Sequence, residues 1–183
     1  MENDSIMQHP DLNRQHPVKT EDYLERCLSF LIKIGIRIVE ETLEESCFLP
    51  GLSIRNGVLI LDREKLLYPG DILHEAGHIA VVPAVERNTL TAATIAARPM
   101  RQAEEMMTIA WSYAACIHLG LDPYVVFHDD GYQGGGSYIA DNFNNKKYFG
   151  LPMLQWKGMA ADEKKAAELQ VPCYPNMLKW MHD

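Results

Sequence analysis

The stretch His74-Glu75-Ala76-Gly77-His78 is the most informative part of this 183-residue chain. Residues four apart lie on one face of a helix, so His74 and His78 can bind one metal ion together, as zinc sites often require. Glu75 is rotated by about 100° around the same helix. From there its carboxylate can reach a water on the metal, which is the arrangement of a zinc hydrolase with Glu75 as general base.

The residues on either side of this motif predict a buried helix. Asp71 follows Pro69-Gly70 and is a good N-cap for a helix that starts at Ile72, while Pro83 ends the helix. The flanking residues between these limits are apolar. Gly77 costs up to about 1 kcal/mol relative to alanine inside a helix. Its presence predicts the close approach of a neighbouring element or of a substrate.

The motif, together with a predicted strand at Gly57-Val58-Leu59-Ile60-Leu61-Asp62, resembles the zincin metallopeptidases over residues 58–107. The metzincin branch would need glycine and histidine where this chain has Val81 and Ala84, so that branch does not fit. The gluzincin branch takes its third ligand from a glutamate on a second helix. This resemblance implies an α+β fold, with a compact zincin-like core, a small antiparallel sheet, two packed zinc-binding helices and one Zn²⁺.

The predicted second helix runs from Arg101 to His118 and carries two candidates for the third ligand, Glu104 and Glu105. Its polar residues form one stripe at helical spacing: Arg101, Glu104, Glu105, Thr108 and Ser112. Glu105 is favoured because it lies nearer the line through Thr108 and Ser112. Glu104 remains the alternative because Thr108, four residues on, could be its hydrogen-bonding partner. An ordinary solvated helix face would also produce such a stripe.

A second resemblance concerns the segment Glu45-Ser46-Cys47-Phe48-Leu49-Pro50-Gly51. It is similar to the segment that supplies a cysteine ligand in peptide deformylases, which also carry H-E-x-x-H. The glycine motif of those enzymes is absent upstream, and the interval from Cys47 to His74 is short for that family. Cys47 is therefore expected to be a buried thiol and not a ligand.

A glycine-rich segment, His128 to Gly136, follows the second helix. It is interpreted either as a surface turn or as an active-site flap. Zincins often supply a histidine or tyrosine that stabilises the oxyanion formed during attack on a carbonyl. The candidates here are His128, Tyr132 and Tyr113.

Composition limits the classes of protein to consider. The net charge is −8 and no basic cluster is longer than Lys146-Lys147, which argues against a general nucleic-acid binder. The four cysteines are scattered without a C-x-x-C pair and are typical of reduced thiols in a cytoplasmic protein. The N-terminus lacks the apolar core of a signal peptide, and no apolar run approaches about 18 residues, so no membrane partner is expected.

The domain organisation predicted from the sequence is simple. Residues 1–18 are expected to be a mobile arm, and residues 19–183 a single domain. Thr20 is expected to cap the first helix, and residues 34–39 either alternate as a strand or continue that helix. Asn56-Gly57 is the sequence of a two-residue hairpin turn, so the sheet is expected to be antiparallel.

The sequence therefore predicts a zinc-dependent hydrolase, with a peptidase of restricted specificity as the favoured class. Its partner would be a peptide or protein substrate. His74, His78 and Glu105 or Glu104 would hold the zinc, and Glu75 would be the base. Two alternatives stay open. One is a non-catalytic zinc-binding regulatory or interaction module, and the other is a deformylase- or amidase-like metal hydrolase.

Overall fold

The computed structural model describes residues 17–44 and 49–183, with side chains from residue 21 onward. Most of the predicted arm lies outside the described residues. Cys47, which the sequence raises as a possible ligand, lies outside them as well. The fold is α+β, as predicted. The helices are α1 (Pro17–Lys33), α2 (Asp71–Ala80), α3 (Ala92–Ala96), α4 (Arg101–His118), α5 (Pro123–Val126), α6 (Gly136–Asn144), α7 (Leu151–Trp156) and α8 (Glu163–Leu169). A 3-10 helix, Ala84–Thr89, follows α2.

The described strands form one small sheet, β1 (Ile38–Glu40), β2 (Leu52–Arg55) and β3 (Val58–Leu61), in the order β1-β3-β2. The hairpin between β2 and β3 is confirmed, because Asn56 and Gly57 have φ values of 53° and 69°, as a type I′ turn requires. The expectation of an antiparallel sheet is wrong for β1, which pairs parallel with β3. The hairpin signal concerns only β2 and β3, and β1 joins the free edge of β3.

The close contact between α2 and α4 explains the glycine inside the motif. A Cβ added at Gly77 would lie 2.9 Å from Thr108 Cγ2 and 3.3 Å from the Thr108 carbonyl oxygen. Ser112, one turn further along α4, donates a hydrogen bond from Oγ to the Thr108 carbonyl at 2.8 Å. Thr108 and Ser112 are fully buried. The interpretation of the polar stripe as a solvated face is therefore wrong for these two residues, which face α2.

The N-terminus of α2 differs by one residue from the prediction. Asp71 is the first helical residue, and Gly70 occupies the cap position without a side-chain hydrogen bond. A Cβ at Gly70 would lie 2.1 Å from the Val125 carbonyl oxygen, so α5 passes against this backbone. The Asp71 carboxylate is thereby left for a partner elsewhere in the molecule, which proves to be His128.

A continuous apolar core surrounds α2 and α4 and includes fully buried Trp111, Phe127 and Phe143. The last residues of the chain close one end of it. Trp111 Nε1 donates to the carbonyl oxygen of Trp180 at 2.8 Å, and the Trp180 ring packs on Phe30. Residues 177–181 pack against this core as an irregular segment. These contacts join α4 to the C-terminal segment and to α1, while α4 packs directly on α2 at Gly77.

Candidate metal centre

The two motif histidines lie side by side on α2, and one carboxylate of α4 faces both. Glu105 Oε1 is 3.4 Å from His74 Nε2, and Glu105 Oε2 is 3.6 Å from His78 Nε2. The imidazole side chains are largely buried, at 15% and 12% exposure, whereas the Glu105 side chain is 41% exposed. The three side chains thus converge at a place that solvent reaches from the side of Glu105.

Glu75 belongs to the same group of side chains. Among the described residues, His74, Glu75 and His78 form the one set of histidine, cysteine and acidic residues whose ligand atoms all lie within 4.8 Å of one another. We call His74, Glu75, His78 and Glu105 the histidine cluster. Its geometry brings both carboxylates near the two imidazoles. Distance alone therefore allows either one to be a ligand.

The second nitrogen of each imidazole has a hydroxyl partner. The Tyr132 hydroxyl lies 3.0 Å from His74 Nδ1, and Thr108 Oγ1 lies 3.4 Å from His78 Nδ1. Such contacts orient an imidazole and leave its Nε2 available for a metal ion. Neither pairing was identified from the sequence. The sequence suggests Thr108 only as a partner of Glu104, and Tyr132 only as a stabiliser of an oxyanion.

Glu104 points away from the histidine cluster. Its carboxylate accepts two hydrogen bonds from Arg98, at 2.6 Å from Nε and 2.9 Å from Nη2. Arg98 Nη2 also donates to Glu86 at 2.7 Å. We call Glu86, Arg98 and Glu104 the arginine cluster. Of the two glutamates left open by the sequence, the structure brings Glu105 to the histidines and commits Glu104 to an arginine.

Burial keeps both imidazoles neutral. The pKa of His74 falls well below its ordinary value because of burial first, and then because of the nearby His78 and His128. Burial lowers the pKa of His78 to about 4. Their contacts with Glu105 are therefore not ion pairs at neutral pH. Neutral imidazole is the form that binds a metal ion.

Both carboxylates of the histidine cluster lie in surroundings that disfavour their charged forms. Burial, with the neighbouring Asp71 and Glu105, raises the pKa of Glu75 to about 8. Burial also raises the pKa of Glu105, although Arg101 opposes this shift. Within the described part of the chain, neither carboxylate forms an ion pair with a lysine or arginine. A cation bound among them would favour their charged forms.

The three residues predicted as possible stabilisers of an oxyanion, His128, Tyr132 and Tyr113, lie in different surroundings. His128 Nε2 lies 2.7 Å from Asp71 Oδ1, and its ring stacks on Tyr68 with centroids 3.8 Å apart. His128 therefore lies beside the cluster but is hydrogen-bonded to Asp71. Tyr113 is buried in another aromatic group, where its hydroxyl donates to Asn144 at 3.3 Å. Of the three candidates, only Tyr132 contacts a motif histidine.

Comparisons with family models, with curated proteins and with solved structures gave no match to this chain. The case for a function therefore depends on the site itself. Across residues 17–44 and 49–183, no helix has the length and apolar character needed to cross a bilayer.

Proposed function

We propose that this protein is a zinc-dependent hydrolase, with a peptidase of restricted specificity as the favoured class. His74, His78 and Glu105 would hold the ion, and Glu75 would act as general base. One observation carries the proposal. A carboxylate from α4 lies 3.4 and 3.6 Å from the Nε2 atoms of two histidines on α2.

The donor set fits zinc. Two imidazoles and a carboxylate are a ligand set of catalytic zinc sites, which leave a fourth position open. Tyr132 and Thr108 engage the Nδ1 atoms, so both Nε2 atoms remain for the ion. When bound, zinc supplies a Lewis acid that polarises a carbonyl and lowers the pKa of water toward about 7.

Glu75 is suited to moving a proton. Its pKa of about 8 reflects burial and two carboxylate neighbours, and a nearby cation would bring that pKa down toward the working pH. A general base works best when its pKa lies near the working pH. Glu105 is the more exposed partner of the histidines, so a substrate would approach from its side.

One feature supports a peptidase among the possible hydrolases. The H-E-x-x-H motif with a glutamate on the next long helix resembles the gluzincin arrangement, which hydrolyses peptide bonds. We expect the substrate to be a single protein or a small peptide.

A non-catalytic zinc module is the second candidate, and the position of Glu75 favours it. The ligand atom of Glu75 lies within 4.8 Å of those of both histidines. If Glu75 also ligates the ion, four protein groups close the coordination shell, as in structural zinc sites. The role of Glu75 thus separates the two functions.

Glu75→Gln distinguishes them, because it keeps the shape and removes the basic carboxylate. For an enzyme, the variant should hold about one zinc per chain, while hydrolysis of a responsive peptide falls roughly 100-fold or more. Zinc content is measured by metal analysis, and activity is measured on a substrate found by screening a peptide library with the zinc-loaded wild type. Glu64→Gln, on an exposed residue of the segment before α2, is the matched control.

Full activity of Glu75→Gln would show that another group is the base. If Glu75→Gln loses the zinc, and the wild type cuts no peptide in a broad library, the structural role is the correct one.

A further inference from the structure

The segment between α5 and α6 contacts α2 at two places one turn apart. We call residues 127–135 the 127–135 loop. The hydroxyl of Tyr132 lies 3.0 Å from His74 Nδ1, and His128 Nε2 lies 2.7 Å from Asp71 Oδ1. Both loop side chains are largely enclosed, and both partners lie in the first turn of α2. The loop therefore contacts the helix that carries the two motif histidines.

The hydrogen bonds of His128 define its tautomer. The backbone N–H of Gly131 donates to His128 Nδ1 at 3.0 Å, so Nδ1 is an acceptor. His128 Nε2 then carries the hydrogen and donates it to the Asp71 carboxylate. Asp71 is buried at 7% exposure, so this bond lies away from bulk water.

The two ends of the loop are in close contact. A Cβ added at Gly136 would lie 2.5 Å from the Phe127 carbonyl oxygen and 2.6 Å from the His128 carbonyl carbon, so only glycine fits there. The Asp129 carboxylate accepts a hydrogen bond from the Ser137 backbone N–H at 2.9 Å. Phe127 is buried in the core. The glycines thus allow a closed loop with a defined path, and this path brings Tyr132 to His74.

We propose that Tyr132 is a positioning residue for His74, and that the His128–Asp71 hydrogen bond holds Tyr132 in place. The proposal rests on the zinc site proposed above. With Nε2 of His74 directed to the ion, Nδ1 carries the hydrogen and donates it to the Tyr132 oxygen. This bond fixes the tautomer and the orientation of the ring. The conformation of the 127–135 loop is thereby coupled to zinc affinity.

The contact also gives Tyr132 a different role from the one expected from the sequence. Its ring is perpendicular to that of His74, with centroids 5.6 Å apart, and its hydroxyl faces the far side of the imidazole from Glu105. A hydroxyl in that position orients His74 as a metal ligand. It does not reach the side of the imidazole where Glu105 faces both histidines.

Zinc affinity, measured by competition with a chromophoric chelator, tests the proposal. Tyr132→Phe keeps the ring and removes the hydroxyl, so it should weaken zinc binding by about 10- to 100-fold. Tyr113→Phe is the matched control, because it removes a buried hydroxyl that bonds Asn144 outside the cluster. This control should stay within about twofold of the wild type. Urea unfolding of the metal-free proteins identifies a variant that is merely unfolded.

His128→Gln tests the second part. As a single change, His128→Gln should weaken zinc binding by roughly 3- to 10-fold. This is less than the loss expected on removing a group that bonds directly to a metal ligand. In the Tyr132→Phe background it should add less than about twofold, because its effect passes through Tyr132. Nitrogen NMR of the zinc-loaded proteins should show a shift of the His74 Nδ1 signal in Tyr132→Phe but not in Tyr113→Phe, because only the first change removes the acceptor of the Nδ1 hydrogen.

The results separate this proposal from the proposed function. If the wild type binds zinc through His74 and His78, but Tyr132→Phe matches Tyr113→Phe, the positioning role is wrong and the zinc site stands. If His128→Gln keeps its full effect without the Tyr132 hydroxyl, the coupling through Tyr132 is wrong. A wild type that binds no zinc overturns both proposals.

Discussion

Glu104 and Glu105 are neighbours near the start of α4, but they belong to two different clusters, in which the carboxylates have different partners. In the arginine cluster, Arg98 contacts both Glu86 and Glu104 through hydrogen bonds of 2.6 to 2.9 Å. The raised pKa of Arg98, caused first by its hydrogen bond to Glu104, reflects this match of charges. The chain thus supplies the cation for this cluster.

The histidine cluster has no equivalent cation among the described residues. Glu75 and Glu105 lie near two imidazoles whose lowered pKa values keep them neutral, and the pKa of each carboxylate is raised. A buried carboxylate without a cation costs free energy when it is charged. This contrast supports the proposed zinc site, because a bound divalent ion would add positive charge beside both carboxylates.

The largest expected effect comes from removing both imidazoles. His74→Ala with His78→Ala should reduce zinc binding from about one ion per chain to none, because two of the three proposed ligands are lost. Metal analysis after dialysis measures the stoichiometry. Tight zinc binding that survives this double change would move the metal site elsewhere in the molecule.

The second largest effect on zinc affinity is expected from replacing Glu105, and the same change at the neighbouring Glu104 is the comparison. Glu105→Gln should weaken zinc binding roughly 100-fold or more, because Glu105 is a proposed ligand. This loss is at or beyond the one expected on removing a group that only bonds to a ligand. Glu104→Gln should leave zinc binding within about twofold, because its carboxylate bonds Arg98. A competition titration with a chelator measures both. A loss of zinc with Glu104→Gln alone would reverse the assignment.

In the metal-free protein, the order of the two variants should be reversed for the free energy of unfolding. Glu104→Gln should lower the free energy of unfolding by about 1 to 3 kcal/mol, because it removes the charge from a largely buried pair. Glu105→Gln should cost less, because Glu105 forms no ion pair with lysine or arginine among the described residues. Urea unfolding in the presence of a chelator measures both. Equal losses would show that the two clusters do not differ as described.

Local signals in the sequence predicted several elements, although α1 begins at Pro17 and Thr20 is therefore not its cap. The helix from Arg101 to His118 has the predicted bounds because its apolar positions recur at helical spacing. The Asn56-Gly57 turn was predictable because both residues tolerate positive φ. The short helix α3 also depends on a local interaction, because the Thr91 side chain accepts a hydrogen bond from the Thr94 backbone N–H.

Long-range contacts account for what the sequence did not predict. Glu104 and Glu105 differ by about 100° around α4, and the periodicity could not show where Arg98 would meet them. The parallel pairing of β1 depends on contacts between distant segments, which no turn signal reports. The partner of His128 depends on the path of the 127–135 loop. The sequence around Asp71 predicts only a helix cap, because it holds no signal for a contact with His128, 57 residues away.

X-ray absorption spectroscopy of the zinc-loaded wild type tests the central claim most directly, because it identifies the atoms bound to the ion. The account predicts nitrogen and oxygen neighbours at about 2.0 to 2.2 Å, with multiple-scattering features of two imidazoles and no sulfur. A sulfur neighbour at about 2.3 Å would contradict it and would indicate a cysteine ligand such as Cys47. A spectrum without imidazole features would also contradict it, because His74 and His78 would then not hold the metal.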